Sequence, residues 1–149
     1  MKLSAFSFLT IASYVAGQAV LHPLNATTNK CLDVRGNVRA NGTPVQIFDC
    51  NGSPAQQWIF SFGQTSVRLA NSPFCLDAGN NPTSGTPMKI WQCFANLPAQ
   101  EWILTPDSRI VLANRGLCLD LTSGSFVNSN VVQTWQCDAS NLNQVWTVG

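Results

Sequence analysis

Carboxylates, side-chain amides and aromatic rings recur in this chain at fixed intervals, whereas the groups that usually break covalent bonds do not. Asp33, Asp77 and Asp120 each close a Cys-Leu-Asp triplet. Gln56, Gln100 and Gln144 each open a Gln-x-Trp triplet ending on Trp58, Trp102 or Trp146. Phe48, Trp91 and Trp135 each stand two residues before a cysteine. An ionised carboxylate accepts hydrogen bonds and an amide both donates and accepts, so these groups suit partners rich in hydroxyls. Catalysis finds little support. His22 is the sole histidine, and no His/Cys cluster has the spacing of a metal site. The three aspartates fall in different units of the chain. They are expected to lie too far apart for a hydrolytic carboxylate pair, whose members stand roughly 5–10 Å apart. The chain is therefore expected to be no enzyme and to need no cofactor or metal.

The elements that must position these groups follow from a repeat. The Cys-Leu-Asp cysteines, Cys31, Cys75 and Cys118, are spaced by 44 and 43 residues, and the Gln-x-Trp tryptophans by 44 both times. A second cysteine follows in each unit, at Cys50, Cys93 and Cys137. Three motifs recurring in one order at one period define three copies of one unit, at about residues 18–62, 63–106 and 107–149. The simplest connectivity pairs Cys31 with Cys50, Cys75 with Cys93 and Cys118 with Cys137. Each bridge would close a loop of about 20 residues, worth roughly 3 kcal/mol in the chain-entropy description. Segments such as Val45-Gln46-Ile47-Phe48, Met88-Lys89-Ile90-Trp91 and Val131-Val132-Gln133-Thr134-Trp135 are short and β-rich, and Gly, Asn, Pro and Ser separate them. No stretch keeps a 3.6-residue apolar period. About four short strands fit in each unit. One unit is too small to bury its apolar face, but three around a pseudo-threefold axis can share a core. The expected fold is all-β, a β-trefoil.

The first 17 residues fall outside that repeat. Lys2 precedes an apolar run from Leu3 to Val15, which ends in the small residues Ala16 and Gly17. This is the pattern of a secretory signal peptide, with cleavage expected after Gly17 and the mature domain at 18–149. Six cysteines behind such a leader fit an oxidising, extracellular location. Lys2, one of eight basic residues, would leave with the leader. The remaining seven balance seven Asp and Glu. A neutral chain without basic clusters is a poor match for nucleic acid or an anionic membrane surface. No second apolar stretch is long enough for membrane insertion. Charged residues make up only 10% of the chain, so Asn, Gln, Ser and Thr supply most of the polar surface. Sequons occur at Asn25, Asn41 and Asn51. Prolines follow the last two, which leaves Asn25 as the favoured glycosylation site.

The series Cys-Leu-Asp, (Trp/Phe)-x-Cys and Gln-x-Trp, in phase with three cysteine pairs, resembles the ricin B-chain type of β-trefoil lectin, also classed as carbohydrate-binding module family 13. The resemblance covers the whole expected mature chain, and is similar in layout to small secreted fungal members. It implies a sugar pocket in each repeat. The pocket is built from the Asp after Cys-Leu, a Gln two residues before the aromatic, the aromatic itself and an Asn before Gln-x-Trp. Carboxylate and amide would hold sugar hydroxyls, and the ring would cover the C–H face. In the third repeat the set is complete: Asp120, Gln133, Trp135 and Asn143, with Gln144 following. The first repeat has Asp33, Gln46, Phe48 and Gln56 but Ala55 in place of the Asn. The second has Asp77, Trp91 and Gln100, with Lys89 replacing the Gln and Ala99 the Asn. Losing one hydroxyl contact costs about 1 kcal/mol against roughly 4 kcal/mol for a millimolar monosaccharide. The third pocket therefore ranks first.

Several assignments stay open at this level. Trp58, Trp102 and Trp146 read best as core. The glutamines of Gln-x-Trp either orient the aspartates or satisfy strand backbone. Phe48, Trp91 and Trp135 share a strand face with their cysteines and could be core rings, and each Asp could simply cap a turn. The family precedent favours a lectin for galactose or N-acetylgalactosamine. A module targeting a polysaccharide such as xylan is the alternative, and a trefoil protease inhibitor a more remote one. Oligomeric state is not legible.

Overall fold

The computed structural model describes residues 17–24 and 29–149. The expected leader, apart from Gly17, and Asn25 lie outside the described residues. Among the described residues there are fourteen short strands: β1 (Leu21–Pro23), β2 (Lys30–Val34), β3 (Val45–Asp49), β4 (Trp58–Ile59), β5 (Gly63–Thr65), β6 (Arg68–Leu69), β7 (Phe74–Asp77), β8 (Thr86–Pro87), β9 (Lys89–Gln92), β10 (Trp102–Leu104), β11 (Ile110–Leu112), β12 (Leu117–Asp120), β13 (Gln133–Gln136) and β14 (Trp146–Val148). Single-turn 3-10 segments interrupt them, and among the described residues no helix is long and apolar enough to cross a membrane.

Each repeat is organised by one antiparallel hairpin: β2–β3, β7–β9 and β12–β13. The registers are equivalent. Cys31 lies opposite Phe48, Cys75 opposite Trp91 and Cys118 opposite Trp135. Asp33 faces Gln46, Asp77 faces Lys89 and Asp120 faces Gln133. All three expected disulfides form, each with a Cα–Cα distance of 5.1 Å. Each Gln-x-Trp tryptophan opens the next strand, where Trp58 pairs with Leu69, Trp102 with Leu112 and Trp146 with Pro23. The last pairing joins β14 to β1, so the C-terminal strand closes on the first described strand.

The repeats meet at a ring of three backbone hydrogen bonds. Val45 N–H donates to the Met88 carbonyl (3.0 Å), Met88 N–H to Val132 (2.9 Å) and Val132 N–H to Val45 (3.1 Å). The β-rich segments around Met88 and Val131-Val132 were expected to be strand throughout. The strands instead begin later, at Lys89 and Gln133, while the equivalent Val45, bonded across the axis in the same way, opens β3. All three ring side chains are buried, beside Leu32, Leu76 and Leu119 from the first strand of each hairpin. Thr134 stands where the other repeats have Ile47 and Ile90. It is fully buried and its hydroxyl donates to the Thr83 carbonyl (2.9 Å).

Each repeat also supports the aromatic of the next. Gly42 N–H donates to Ile90 O, Gly85 N–H to Thr134 O and Ser129 N–H to Ile47 O, beside Trp91, Trp135 and Phe48 respectively. Gly42 and Gly85 adopt φ of 91° and 93°, and a Cβ at either would sit 3.8–3.9 Å from the neighbouring indole. Met88 at the axis gives a direct test of the shared core. Truncating a buried methionine leaves a cavity costing about 2–4 kcal/mol. Met88→Ala should lower unfolding free energy by that amount in denaturant titration, in one cooperative transition and not repeat by repeat.

Candidate functional site

The glutamine of Gln-x-Trp is the hinge of each site. Gln144 is fully buried. Its Oε1 accepts from Asp138 N–H (3.0 Å), and its Nε2 donates to the Gln136 carbonyl (2.8 Å) and to Asp120 Oδ2 (3.3 Å). Gln56 does the same with Asn51 N–H, the Asp49 carbonyl and Asp33 Oδ2, each at 3.0 Å. Gln100 repeats it with Phe94 N–H, the Gln92 carbonyl and Asp77 Oδ2. Both amide hydrogens are used in every case. These three residues therefore do not face a ligand, which corrects their assignment as sugar contacts. They satisfy backbone and orient the carboxylate at once, so the two roles left open by the sequence are both filled. The paired tryptophans are core: Trp58, Trp102 and Trp146 donate their indole N–H to the carbonyls of Leu32, Leu76 and Leu119 at 3.0–3.1 Å.

In the third repeat the hairpin register sets Gln133 opposite Asp120, with Trp135 two residues on along the same strand face. Asp120 Oδ1 accepts from Gln133 Nε2 (2.9 Å), and the Gln133 carbonyl oxygen accepts no hydrogen bond from the described residues. Trp135 is 43% exposed, which excludes the core reading of this ring. Asn143 is half-buried on the 3-10 turn Leu142–Gln144 and packs against Gly124 of the facing turn Thr122–Gly124. A Cβ on Gly124 would lie 3.0 Å from Asn143 Oδ1, and φ there is 61°, so glycine both admits the amide and permits the turn. Asn141 also belongs to the site, although the sequence reading passed over it. Its Oδ1 caps the turn by accepting from Asn143 N–H (3.0 Å), and its Nδ2 reaches Asp120 Oδ2 (3.4 Å). The signal was an Asn at the cap position of a short turn, where the other repeats have Ser53 and Leu97.

The first repeat holds an open cavity of about 330 Å³ lined by Asp33, Gln46, Phe48 and Ala55. Gln46 is buried, with Nε2 on Asp33 Oδ1 (3.0 Å) and Oε1 taken by Arg35 Nε (2.7 Å). Arg35 was not anticipated. It also donates to the Ser129 carbonyl (3.1 Å), so a loop of the third repeat walls this cavity. In the second repeat Asp77 does cap a turn, accepting Gly79 N–H at Oδ1 (2.7 Å). Trp91 is 37% exposed, and Lys89 Nζ lies 5.0 Å from its ring centroid. Burial raises the proton affinity of Asp33 and Asp120, and the amide hydrogen bonds partly oppose it. His22 lies 3.6 Å from both sulfurs of the Cys31–Cys50 bridge, whose thiols are consumed in the disulfide. Of the other sequons, Asn41 and Asn51 are exposed, each with its Oδ1 bonded to a backbone N–H.

Three hairpins presenting a buried carboxylate beside an outward ring agree with one family pattern. Residues 22–146 match the family model described as ricin-type β-trefoil lectin domain. The chain belongs to this family. Similar solved structures include the designed threefold-symmetric protein ThreeFoil, at 22% identity over 89% of this chain and 97% of that one, with a TM-score of 0.79. The ricin B-like lectin of Macrolepiota procera, in complex with lactose, is 22% identical over 89% and 94%, TM-score 0.74. The C-half of an earthworm R-type lectin, in complex with GalNAc, is 19% identical over 89% and 97%, TM-score 0.72. At these identities the likeness is one of fold. No curated protein matches the chain significantly in sequence.

The geometry of this ricin-type domain separates scaffold from surface. Gln144→Leu strands a part-buried N–H and a part-buried carbonyl, at about 1–2 kcal/mol for each, and removes one of the bonds to the Asp120 carboxylate. It should lower unfolding free energy by about 2–4 kcal/mol. Trp135→Ala, on an exposed ring, should change it by less than about 1 kcal/mol in the same titration.

Proposed function

We propose that this chain is a secreted, non-catalytic lectin for glycans of the galactose or N-acetylgalactosamine type, and that its principal pocket lies in the third repeat. The observation that carries the reading is the Asp120 carboxylate, held by Gln133, Gln144 and Asn141 beside the exposed Trp135. Asp120 and the unbonded Gln133 oxygen would accept from two ring hydroxyls. Asn143 supplies an amide, and the indole covers the C–H face of the sugar. The lactose and GalNAc complexes of fold relatives support this sugar class. The three disulfides and the leader-like N-terminus support secretion, and the lectin family supports binding without catalysis. The first repeat would act as a second, differently tuned pocket, because Arg35 takes the Gln46 oxygen that the third repeat leaves open. Two pockets on one rigid domain would favour clustered glycans through avidity.

A glycan array of residues 18–149 beside Trp135→Ala and Asp120→Ala tests the reading. Signal on terminal galactosides, reduced at least tenfold in both variants, is expected. An array blank for the parent protein would sink the lectin assignment, and signal untouched by either variant would remove the third pocket. Binding should also depend on pH. Sugar hydroxyls need the ionised carboxylate, and burial raises its proton affinity. Affinity should thus be full at neutral pH and fall as pH drops through a midpoint above that of a solvated aspartate, read by titrating sugar at successive pH values.

A further inference from the structure

The second repeat keeps the fold motifs but replaces both amides of the pocket. Lys89 occupies the register position of Gln133, directly opposite the aspartate, and Ala99 takes the place of Asn143. An ammonium donates but cannot accept, so the acceptor that Gln133 offers to a hydroxyl is gone. Asp77 is buried with both oxygens engaged, by Gly79 N–H and Gln100 Nε2, as Asp120 is by Gln133, Gln144 and Asn141, so the aspartates do not distinguish the two pockets and the substitution at Lys89 does. The ion pairs among the described residues are Lys30–Asp49 and Arg109–Asp107, so Lys89 pairs with no carboxylate there. Its charge rests on the indole of Trp91, 5.0 Å from the centroid. The turn that backs that indole at Gly42 follows Arg39, whose guanidinium donates to the Asn71 carbonyl of the second repeat (3.0 Å).

From this juxtaposition we infer that the second-repeat pocket takes an acidic saccharide, a pyranose carrying a carboxylate or sulfate, and discriminates against neutral sugars. A neutral ring would have to displace the ammonium from the indole face and would find no new hydroxyl acceptor in return. An anionic sugar pairs with the ammonium as it leaves the ring, and its C–H face then covers the freed indole. The pocket becomes selective by exchanging an acceptor for a cation, with the backbone unchanged. The inference rests on the lectin reading of the fold, and the experiment separates the two.

Galactose, galacturonic acid and galactose 6-sulfate are titrated at low salt by ligand-observed NMR. The proteins are residues 18–149, Lys89→Gln and Trp135→Ala. Both acidic sugars should bind more tightly than galactose, weaken severalfold between 20 and 200 mM salt as ions screen the pair, and survive Trp135→Ala. Lys89→Gln should weaken them at least tenfold without weakening galactose, since it restores the acceptor that the other two repeats have at this position. A carboxylate effect without a sulfate effect, or the reverse, still upholds the inference and names the anion. Acidic sugars bound no better than galactose, or unaffected by Lys89→Gln, would overturn it while the galactose signal keeps the lectin reading intact. No binding of any of the three sugars would overturn both.

Discussion

A primary amide buried behind each hairpin meets demands that no other group in the repeat can meet together. The Gln-x-Trp glutamine closes the turn after the second cysteine by accepting one backbone N–H, and it ties the end of the second hairpin strand through a carbonyl. It holds an aspartate of the first strand by one oxygen. Replacing it by an apolar residue would leave buried groups unpaired, and replacing it by glutamate would place a second carboxylate against the first. The fold therefore needs this glutamine, and the carboxylate it fixes comes with the fold. On the proposed reading, ligand chemistry is added on the outer side of that carboxylate, where the packing demands end.

That division explains why the three repeats agree in some positions and drift in others. Disulfide, glutamine and core tryptophan serve the hairpin and the axis, and they occur three times with equivalent partners. The position opposite the aspartate is Gln46, Lys89 or Gln133, and nothing in the packing forbids any of them. The ring of bonds through Val45, Met88 and Val132 makes the repeats mutually dependent, because each supplies a donor to one neighbour and an acceptor to the other. The same dependence reaches the surface, since the turn that backs each aromatic belongs to the preceding repeat.

Much of this was legible from residue spacing. The repeat period predicted the trefoil and its cysteine pairs, because a recurring Cys-Leu-Asp cannot keep phase with Gln-x-Trp unless both serve one unit. Asp120, Gln133, Trp135 and Asn143 were identifiable as a set, of which the structure bonds Asp120 to Gln133 and leaves Trp135 exposed. The burial of Gln56, Gln100 and Gln144 was not legible, since an amide that bonds backbone and one that bonds a ligand look alike in sequence. Arg35 and Asn141 were missed because their roles come from contacts across a hairpin or between repeats, here Arg35 with Gln46 and Ser129, and Asn141 with Asp120. The exposure of Trp91 and Trp135 depends on which strand face points outward, and sharing a face with a cysteine pointed the other way.

The central claim is that a threefold scaffold presents unequal pockets, with the one for neutral sugars in the third repeat. The five tryptophan indole N–H signals divide along that line, with Trp58, Trp102 and Trp146 in the core and Trp91 and Trp135 at the surface. Titrating N-acetylgalactosamine into ¹⁵N-labelled protein and following these five signals reads the claim directly. The account predicts a saturable shift of Trp135 with Trp91 and the core indoles unmoved. Equal shifts at Trp91 and Trp135, or none at Trp135, would contradict it.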